Sequence, residues 1–420
     1  MSLLAQNFRE KVSKLKDHRM KAETEFGVGY STGFLSFDFI NGIVVHAKRE
    51  STEYKYYSVG IVDGSCNMII GRSSSGKTTF TIQAASNIVR PYKTSCIFHD
   101  DIEGGINTSR LESLTGFRGE ELRSKYVLRS TGITAENFYE RVKMIHDLKN
   151  ENRADYEYDT GLYDSCGNRI YKLEPTVYIL DSLALLMPEK YATEDELSGQ
   201  MSSTAQAKSN SMVFRRIVPM LKTANIILLV INHINQKVDI NPMQKTKSQV
   251  SYLKQSESIS GGNMPIYLSN NMIRVDDAGK LKPTEGFYID GAIVELSLIK
   301  SRTNKVGSSC RLIFDKDNGF DNELSLFLLL KEHGRINGAG AFLYLADRND
   351  MKFAQKNFKQ KLRELPELRQ VFMQEVMSVL STIIPDSYQE PDPELTGDIE
   401  EPQDLSLNIL SMMNSSAMEC

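Results

Sequence analysis

Eight consecutive residues decide the fold of this chain, and they match the phosphate-binding pattern G-x-x-x-x-G-K-[ST]: Gly71-Arg72-Ser73-Ser74-Ser75-Gly76-Lys77-Thr78. The apolar residues 68–70 before them predict a buried strand, and residues 80–85 after them predict the start of a helix. In this context the two glycines let backbone N–H groups turn towards a polyphosphate. Lys77 supplies a charge for the terminal phosphates, and the Thr78 hydroxyl can ligate Mg²⁺. A Gly/Ser-rich turn that matches by chance is the alternative.

Composition places the chain among ordinary globular proteins. Its 420 residues suggest two or three domains, and 40% hydrophobic with 25% charged residues is typical of soluble proteins. No run of 18 apolar residues predicts a membrane span, and the first residues do not resemble a signal peptide. The five cysteines are scattered without C-x-x-C spacing, which argues against a disulfide framework or a zinc site. We therefore expect a cytoplasmic protein.

Charge is distributed unevenly along the chain. Residues 386–420 hold nine acidic residues and no lysine or arginine, so subtracting them from the net charge of −4 leaves +5 on the rest. Prolines and acids predict that residues 385–420 are disordered. A mildly basic body is compatible with a nucleic-acid partner, although acidic tails often serve only solubility.

Three further apolar runs end in polar residues that suit a nucleotide site. Residues 95–98 predict a strand that leads into Asp100, Asp101 and Glu103. Residues 177–180 predict another that ends in Asp181, about 100 residues after the phosphate loop, where an acidic residue can hold Mg²⁺ through water. Residues 226–231 predict a third, ending in Asn232 and His233. Strands that alternate with helices from about 61 to 300 predict an α/β domain.

Weaker patterns fill the rest of the chain. In residues 205–222 we expect a helix with Met212, Ile217 and Leu221 facing inwards, after a loop at 189–204. Residues 235–263 are polar and lysine-bearing, and they read either as a surface segment or as a loop that orders on a ligand. The other predicted elements are an amphipathic helix at 3–25, a hairpin at 45–60, a helix at 136–149, an insertion with a hairpin turn at 150–175, a strand at 292–299 with a hairpin partner at 310–314, and a helical module at 323–384.

In combination these motifs resemble the RecA recombinase family, most closely its T-even bacteriophage members. The resemblance covers roughly residues 28–380. It is carried by Ser31-Thr32-Gly33-Phe34-Leu35-Ser36-Phe37-Asp38, the phosphate loop through Thr79, Leu180-Asp181-Ser182-Leu183-Ala184, Ile231-Asn232-His233, Gly261-Gly262-Asn263 and Lys300-Ser301-Arg302-Thr303.

The resemblance implies an α/β fold with a RecA-like P-loop ATPase core. Residues 1–28 would be an N-terminal helical arm used in oligomerisation, and residues 29–322 the ATPase and DNA-binding core. Residues 323–384 would be a small C-terminal helical module, followed by the disordered acidic tail at 385–420.

The resemblance also implies roles for individual residues at the ATP site. Residues 71–79 would bind ATP, and Thr78 and Asp181 would hold Mg²⁺. Glu103 would polarise the attacking water, with Asp100 as the alternative, because this chain has two acids before the glutamate. His233 would sense the γ-phosphate rather than merely pack. Lys300 and Arg302 would reach the γ-phosphate of a neighbouring subunit, or else be surface charges at a strand end.

Two loops would bind single-stranded DNA through sequence-independent phosphate contacts. The residues implied in the two loops are Gly199, Gln200 and Met201 in the first, and Lys237, Lys245, Lys247, Lys254, Gly261, Gly262 and Asn263 in the second.

The expected activity is that of a DNA-dependent ATPase that forms helical filaments on single-stranded DNA and promotes homologous pairing and strand exchange. Its cofactors would be ATP and Mg²⁺, and its partners single-stranded DNA, homologous duplex DNA, further copies of itself, a single-strand-binding protein and a loading mediator. If the chain is phage-encoded, it would work in an infected bacterium. The alternatives are a hexameric replicative helicase, against which Ser182 and the Ser31–Asp38 motif argue, and a non-catalytic ATP-switched mediator.

Overall fold

The computed structural model describes residues 27–49, 52–192, 199–236, 249–251, 253–281, 289–303, 306–340, 342–346 and 348–384, with only the backbone of residues 199–203. The predicted N-terminal helix, the acidic tail and the predicted DNA-contacting residues Lys237, Lys245 and Lys247 lie outside these ranges. No helix within them is long and apolar enough to cross a membrane.

The strands are β1 (Gly29–Tyr30), β2 (Ile43–Arg49), β3 (Thr52–Ser58), β4 (Ile61–Val62), β5 (Cys66–Gly71), β6 (Ile97–Asp101), β7 (Tyr126–Arg129), β8 (Glu157–Tyr163), β9 (Arg169–Leu173), β10 (Thr176–Asp181), β11 (Ile226–Gln236), β12 (Glu257–Ile259), β13 (Asn271–Leu281), β14 (Gly291–Ser301), β15 (Ser309–Asp315), β16 (Gly319–Asp321), β17 (Ile336–Asn337) and β18 (Tyr344–Leu345).

The α-helices are α1 (Leu35–Ile40), α2 (Lys77–Val89), α3 (Thr108–Thr115), α4 (Gly119–Lys125), α5 (Ala135–Glu151), α6 (Arg153–Tyr156), α7 (Glu189–Ala192), α8 (Gly199–Ala224), α9 (Asn263–Leu268), α10 (Asn322–Glu332), α11 (Phe358–Glu364) and α12 (Pro366–Ser381). Short 3₁₀ turns occupy Leu183–Leu185 and Gln355–Asn357.

One ten-stranded mixed sheet organises the molecule, in the order β16-β15-β14-β13-β5-β11-β10-β6-β7, with β12 paired to β11. The strands from β13 to β7 in this order run parallel, and β14 to β16 extend the sheet in antiparallel fashion. β5 and β10 are buried along their whole length, as expected for parallel strands covered by helices on both faces. The predicted apolar strands are therefore confirmed as the centre of an α/β sheet.

Alternate residues of the central strands pack into two cores on opposite faces of the sheet, as the period of a strand requires. On one face, Ile69 and Ile179 belong to the same core as Phe80 of helix α2. On the other, Tyr178 contacts Phe138 of helix α5, and Phe138 contacts Phe214 of helix α8. The helices therefore cover both faces and leave the carboxyl ends of the strands as the place for a ligand.

The Ser31–Asp38 motif fixes the chain against the phosphate-loop helix. Asp38 is buried and accepts hydrogen bonds from the Ser31 hydroxyl at 2.5 Å and from the Thr32 N–H and hydroxyl at 2.9 and 2.6 Å. The Thr32 carbonyl in turn accepts from Asn87 of helix α2 at 2.8 Å. The predicted turn and short helix are confirmed. They hold this part of the chain against helix α2.

The hairpins predicted at 45–60 and 150–175 are both present, and they contact each other. β2 pairs with β3, and β8 pairs with β9. The Lys48 N–H donates to the Asp164 carbonyl at 2.9 Å, and the Arg49 guanidinium lies 5.7 Å from the centroid of the Tyr163 ring. The two insertions therefore lie side by side, which their separation in sequence did not indicate.

Residues 322–384 contain the predicted helices and a small strand pair, β17–β18, that was not predicted. Phe358 is central, with its ring 4.8 Å from that of Phe327 and 5.1 Å from that of Phe372. This apolar cluster also includes Leu35 and Phe39 of helix α1, so the module packs on the start of the core.

Helix α8 differs from its prediction in two respects. It begins at Gly199, and α7 precedes it, so much of the predicted loop at 189–204 is helical. Ile217 and Leu221 are fully buried as expected, but Met212 is 50% exposed. The prediction for Met212 is wrong because it lies five positions before Ile217, well away from the buried stripe that repeats every three or four residues.

Candidate active site

The phosphate loop joins β5, which ends at Gly71, to helix α2, which begins at Lys77. A Cβ on Gly71 would lie 2.4 Å from the Val275 carbonyl oxygen of the neighbouring strand, and Gly76 has a φ of 91°. Both positions therefore require glycine. The loop ends at the N-terminus of a 13-residue helix, where free N–H groups favour an anion.

Two polar groups inside the loop fit a bound phosphate. The Ser75 hydroxyl is buried and has no hydrogen-bond partner within the described residues. The Lys77 ammonium donates to the Arg72 carbonyl at 2.6 Å, so it spans the loop. Burial lowers the pKa of Lys77, against the opposing effect of Asp181 and Glu103. An anionic ligand would accept a hydrogen bond from the Ser75 hydroxyl and give the Lys77 ammonium an opposite charge.

The metal-binding residues implied by the resemblance lie together. The Thr78 hydroxyl donates to Asp181 Oδ2 at 2.7 Å, whereas the buried Oδ1 has no partner in the described part of the chain. Burial raises the pKa of Asp181 to about 6, and the charges of Glu103 and Asp101 contribute. A hydroxyl and a carboxylate side by side fit Mg²⁺, which prefers oxygen ligands.

Glu103 follows β6 and lies against β11 at His233, before that strand ends at Gln236. Its Oε1 is 2.6 Å from His233 Nε2, and His233 is the register partner of Gly71 at the phosphate loop. Burial opposes ionisation of Glu103, but the His233 hydrogen bond and the charge of Lys77 together hold its pKa below the ordinary value. Glu103 is therefore ionised at neutral pH and joins the segment after β6 to β11 at the mouth of the site.

Asp100 and Asp101 occupy opposite faces of β6. Asp100 Oδ2 is bonded at 2.6 Å to both Arg141 and the Tyr178 hydroxyl, on the face covered by helix α5. Asp101 accepts the N–H groups of Gly104 and Ile106, each at 3.0 Å, and so fixes the turn that carries Glu103. Strand alternation could have separated these two acids, but Arg141 and Tyr178, the partners of Asp100, carried no signal in the sequence.

Lys300 and Arg302 lie away from the phosphate loop of their own chain. Lys300 is the register partner of Met272, which pairs with Met68 near the start of β5, whereas the loop follows the end of that strand. The Lys300 ammonium is bonded to the carbonyls of Ile266, Tyr267 and Ser269 at 2.7, 3.0 and 2.7 Å. Arg302 also donates to the Tyr267 carbonyl, at 2.6 Å.

These contacts place two cations at the C-terminal end of helix α9, where carbonyl groups favour positive charge. Burial, with the neighbouring charge of Arg302, lowers the pKa of Lys300 to about 8. The structure therefore brings Lys300 and Arg302 together, but at the edge of the sheet opposite to the phosphate loop of the same chain.

The glycines of the second predicted DNA loop have packing roles. A Cβ on Gly261 would lie 2.7 Å from Leu183 Cγ, and one on Gly262 would lie 3.0 Å from the Ala207 Cβ; both residues have φ above 90°. Asn263 begins helix α9, and its Oδ1 accepts from Gln249 at 2.7 Å. This segment is thereby fixed against helix α8, whose first residues include Gly199, Gln200 and Met201.

Lys254 is largely exposed, with its Nζ 3.9 Å from Asp276. Beside it lies an ion pair that sequence reasoning missed: Arg274 is bonded through two nitrogens to Glu257, both at 2.7 Å, and these side chains are about 5% and 4% exposed. Glu257 lies on β12, and Arg274 is the register partner of Ile70 just before the phosphate loop. The pair joins the end of the lysine-bearing segment to the strand beside the nucleotide site.

Comparison with known proteins gives a consistent set of relatives, although no family model matches. Protein RecA of Mannheimia haemolytica is 24% identical over 331 residues, which cover 76% of this chain and 74% of that protein. Protein RecA of Pseudomonas fluorescens strain Pf-5 is 25% identical over 393 residues, or 92% of each chain. The recombination and repair protein of enterobacteria phage T4 is 26% identical over 271 residues, covering 64% of this chain and 58% of the phage protein.

Among solved structures, the RadB recombinase aligns with a TM-score of 0.37 and 17% identity, over 62% of this chain and 92% of that chain. The resemblance predicted from the motifs is confirmed by the sequence relatives, and the RecA-like α/β fold by the central sheet. The chain is a homologue of the bacterial RecA proteins and of the phage T4 recombination and repair protein.

Proposed function

We propose that this protein is an ATP-dependent DNA recombinase that assembles on single-stranded DNA and promotes homologous pairing and strand exchange. One observation supports this proposal above the others. In a homologue of recombinases, the phosphate loop, the Thr78–Asp181 pair and the Glu103–His233 pair meet at one edge of the sheet. These are the parts that phosphoryl transfer to water requires.

In the proposed reaction, the N–H groups of residues 71–79, the Ser75 hydroxyl and the Lys77 ammonium hold the phosphates of ATP. Thr78 and Asp181 hold Mg²⁺, which when bound neutralises charge that develops on the phosphoryl oxygens. Glu103, ionised and at the mouth of the site, orients the attacking water and accepts its proton. His233 exchanges its bond with Glu103 for one with the terminal phosphate.

We further propose that Lys300 and Arg302 act on a neighbouring subunit. They lie at the opposite edge of the sheet from the phosphate loop of their own chain, so head-to-tail stacking of subunits would bring the two edges together. Cations that approach the γ-phosphate from a second subunit stabilise the charge of the transition state. ATP would then be bound between subunits of a filament.

The DNA-binding and organisational assignments belong to the same proposal. Lysines at 237, 245, 247 and 254 contact DNA phosphates, together with the segments at 199–201 and 261–263. Residues 1–28 form an oligomerisation arm, 29–322 the core, 323–384 a C-terminal module and 385–420 an acidic tail. A single-strand-binding protein and a loading mediator are further partners, in the cytoplasm of the bacterial cell where the DNA lies.

Electron microscopy with single-stranded DNA and a slowly hydrolysed ATP analogue tests the proposal. We expect helical filaments that fail to form when the analogue is omitted. Closed rings would indicate a hexameric helicase instead, and the absence of any assembly would indicate a mediator. ATP hydrolysis by the wild type but not by Lys77→Ala, measured with and without DNA, tests the enzymatic part separately.

A further inference from the structure

A second group of potential metal ligands lies beside the nucleotide site. His99 and Asp101 on β6 and Asp181 on β10 each offer one ligand atom, and these atoms all lie within 4.8 Å of one another. His99, Asp101 and Asp181 are only 1%, 1% and 3% exposed, respectively. Such a group is costly to bury unless its charges and lone pairs have partners.

The register of the sheet brings the three side chains together. Asp101 is paired with Asp181, and His99 with Ile179, in the parallel ladder between β6 and β10. Residues two apart on a strand share a face, so His99, Asp101 and Asp181 all project from the same side of adjacent strands. Asp100, between the two ligands of β6, projects from the other side and is paired with Arg141.

Two buried atoms in this group have no hydrogen-bond partner in the described part of the chain: Nε2 of His99 and Oδ1 of Asp181. The other nitrogen of His99, Nδ1, lies 2.7 Å from the Tyr126 hydroxyl. A histidine that ligates a metal generally has its second nitrogen held in this way, which fixes the ring and its tautomer. Asp101 is likewise oriented, by the N–H groups of Gly104 and Ile106.

The charge of the group also favours a cation. Asp101 and Asp181 are neighbouring carboxylates in register on adjacent strands, so the group offers two anionic oxygen donors beside one imidazole nitrogen. A neutral imidazole nitrogen is a ligand for a transition-metal ion. One nitrogen with two carboxylates suits a divalent ion that accepts both donor types, whereas Mg²⁺ prefers oxygen alone.

We propose that His99, Asp101 and Asp181 bind a divalent transition-metal ion, of the Mn²⁺ or Zn²⁺ class, behind the position at which Thr78 and Asp181 would hold the Mg²⁺ of the nucleotide. Asp181 serves both places, because its Oδ2 accepts from Thr78 and its Oδ1 has no such bond in the described structure. The ion supports Asp181 from within the core and binds without nucleotide.

The test uses Mn²⁺ as the probe and the full-length, nucleotide-free protein. Electron paramagnetic resonance counts bound Mn²⁺, and its pulsed form detects coupling to an imidazole nitrogen. We expect one bound Mn²⁺ with nitrogen coupling, displaced by Zn²⁺. In His99→Gln the coupling should disappear and the affinity should fall at least about 10-fold, since even loss of a group that only supports a ligand costs 10- to 100-fold.

Three variants control for other positions of the ion. His146→Gln removes a histidine on helix α5, His233→Gln removes the one beside Glu103, and Thr78→Val removes the hydroxyl of the nucleotide metal position; all three should keep the nitrogen-coupled signal. Circular dichroism melting checks that each variant is folded. The proposal is overturned if the wild type shows no nitrogen coupling, if folded His99→Gln keeps it, or if Thr78→Val or His233→Gln loses it.

Discussion

The Nε2 atom of His233 lies 2.6 Å from Oε1 of Glu103, and this contact joins β11 to the segment that follows β6 at the mouth of the candidate active site. His233 is also the register partner of Gly71, the first residue of the phosphate loop. A terminal phosphate bound in that loop would therefore lie close to His233. Beyond His233, β11 continues to Gln236 and so into the lysine-bearing segment at residues 235–263. Because His233 can bond either to Glu103 or to a terminal phosphate, it can report the nucleotide state to that segment.

The first prediction concerns this coupling. His233→Phe keeps a planar ring but removes the bond to Glu103, so single-stranded DNA should stimulate ATP hydrolysis less, by on the order of 10-fold, within the usual range for coupling between sites. The affinity for ADP should change little, because the phosphate loop is intact and His233 is proposed to bind only the terminal phosphate of ATP. The measurement is the ratio of ATPase rates with and without DNA, with His146→Phe as the control. An unchanged ratio would mean that His233 has only a packing role on β11 and does not couple the two sites.

A second prediction separates the two candidate catalytic carboxylates. Glu103→Gln should lower the ATPase rate by about 10²- to 10⁴-fold, the usual contribution of a general base, without a large effect on unfolding. Asp100→Asn should instead cost about 3–5 kcal/mol of stability, because it leaves Arg141 without its buried opposite charge. Steady-state ATPase assays and urea unfolding of both variants decide the matter. A stable, inactive Asp100→Asn would reverse the assignment.

Catalysis across a subunit interface is tested by mixing inactive variants. If Lys300 acts in trans, Lys300→Ala should lose on the order of 10³-fold in ATPase rate. Mixtures with Lys77→Ala should recover activity, because some interfaces then contain both an intact lysine and an intact phosphate loop. Absence of recovery at every ratio in co-assembled filaments would place Lys300 in a role within its own chain.

Two controls make that experiment interpretable. Lys300 is bonded to three carbonyls of its own chain, so Lys300→Ala is also expected to lower the melting temperature, and the mixtures should be assayed well below it. Arg311→Ala removes an exposed cation from the adjacent strand β15, where it is paired with Glu332 at 2.9 Å. This variant should keep its activity and give no mixing effect.

How far the sequence could predict these features depends on the range of the interactions involved. Apolar runs and the phosphate-loop spacing are local, and they correctly predicted β5, β10 and β11. The pairing of Glu257 with Arg274 and the capping of helix α9 by Lys300 are not local, because each depends on which strands become neighbours in the sheet. Met212 shows a different limit. The apolar pattern of the sequence did not distinguish this exposed residue of helix α8 from those of the buried stripe, such as Ile217 and Leu221.

The candidate site was predictable to the same extent. Strand ends that carry acids predicted that Asp181, Glu103 and the phosphate loop would meet at one edge. The distance between His233 and Glu103 could not be predicted, because it depends on the turn that Asp101 fixes after β6. The convergence of His99 with Asp101 and Asp181 requires the register between β6 and β10, which no spacing in the sequence specifies.

A last prediction concerns the pH dependence of stability at Asp38. Burial raises its pKa from 3.8 to about 6, despite the hydrogen bonds from Ser31 and Thr32. Between these values the folded protein holds a proton that the unfolded chain releases, so the stability contributed by Asp38 is full below about pH 4 and falls as the pH rises through 6. A shift of this size corresponds to at most about 3 kcal/mol.

Urea unfolding of the wild type and Asp38→Asn at several pH values from 4 to 7 measures this contribution. The contributions of the other carboxylates cancel when the unfolding free energies of the two proteins are subtracted. The stability of the wild type relative to Asp38→Asn should fall across this range. Asp350→Asn is the matched control: the bond to Arg348 lowers the pKa of Asp350 below 3.8, so the relative stability of the wild type should stay nearly constant from pH 4 to 7 and fall only at lower pH. The same constant behaviour at Asp38 would mean that its hydrogen bonds outweigh the cost of burying its charge, and that the Ser31–Asp38 motif is built to hold a carboxylate rather than a carboxylic acid.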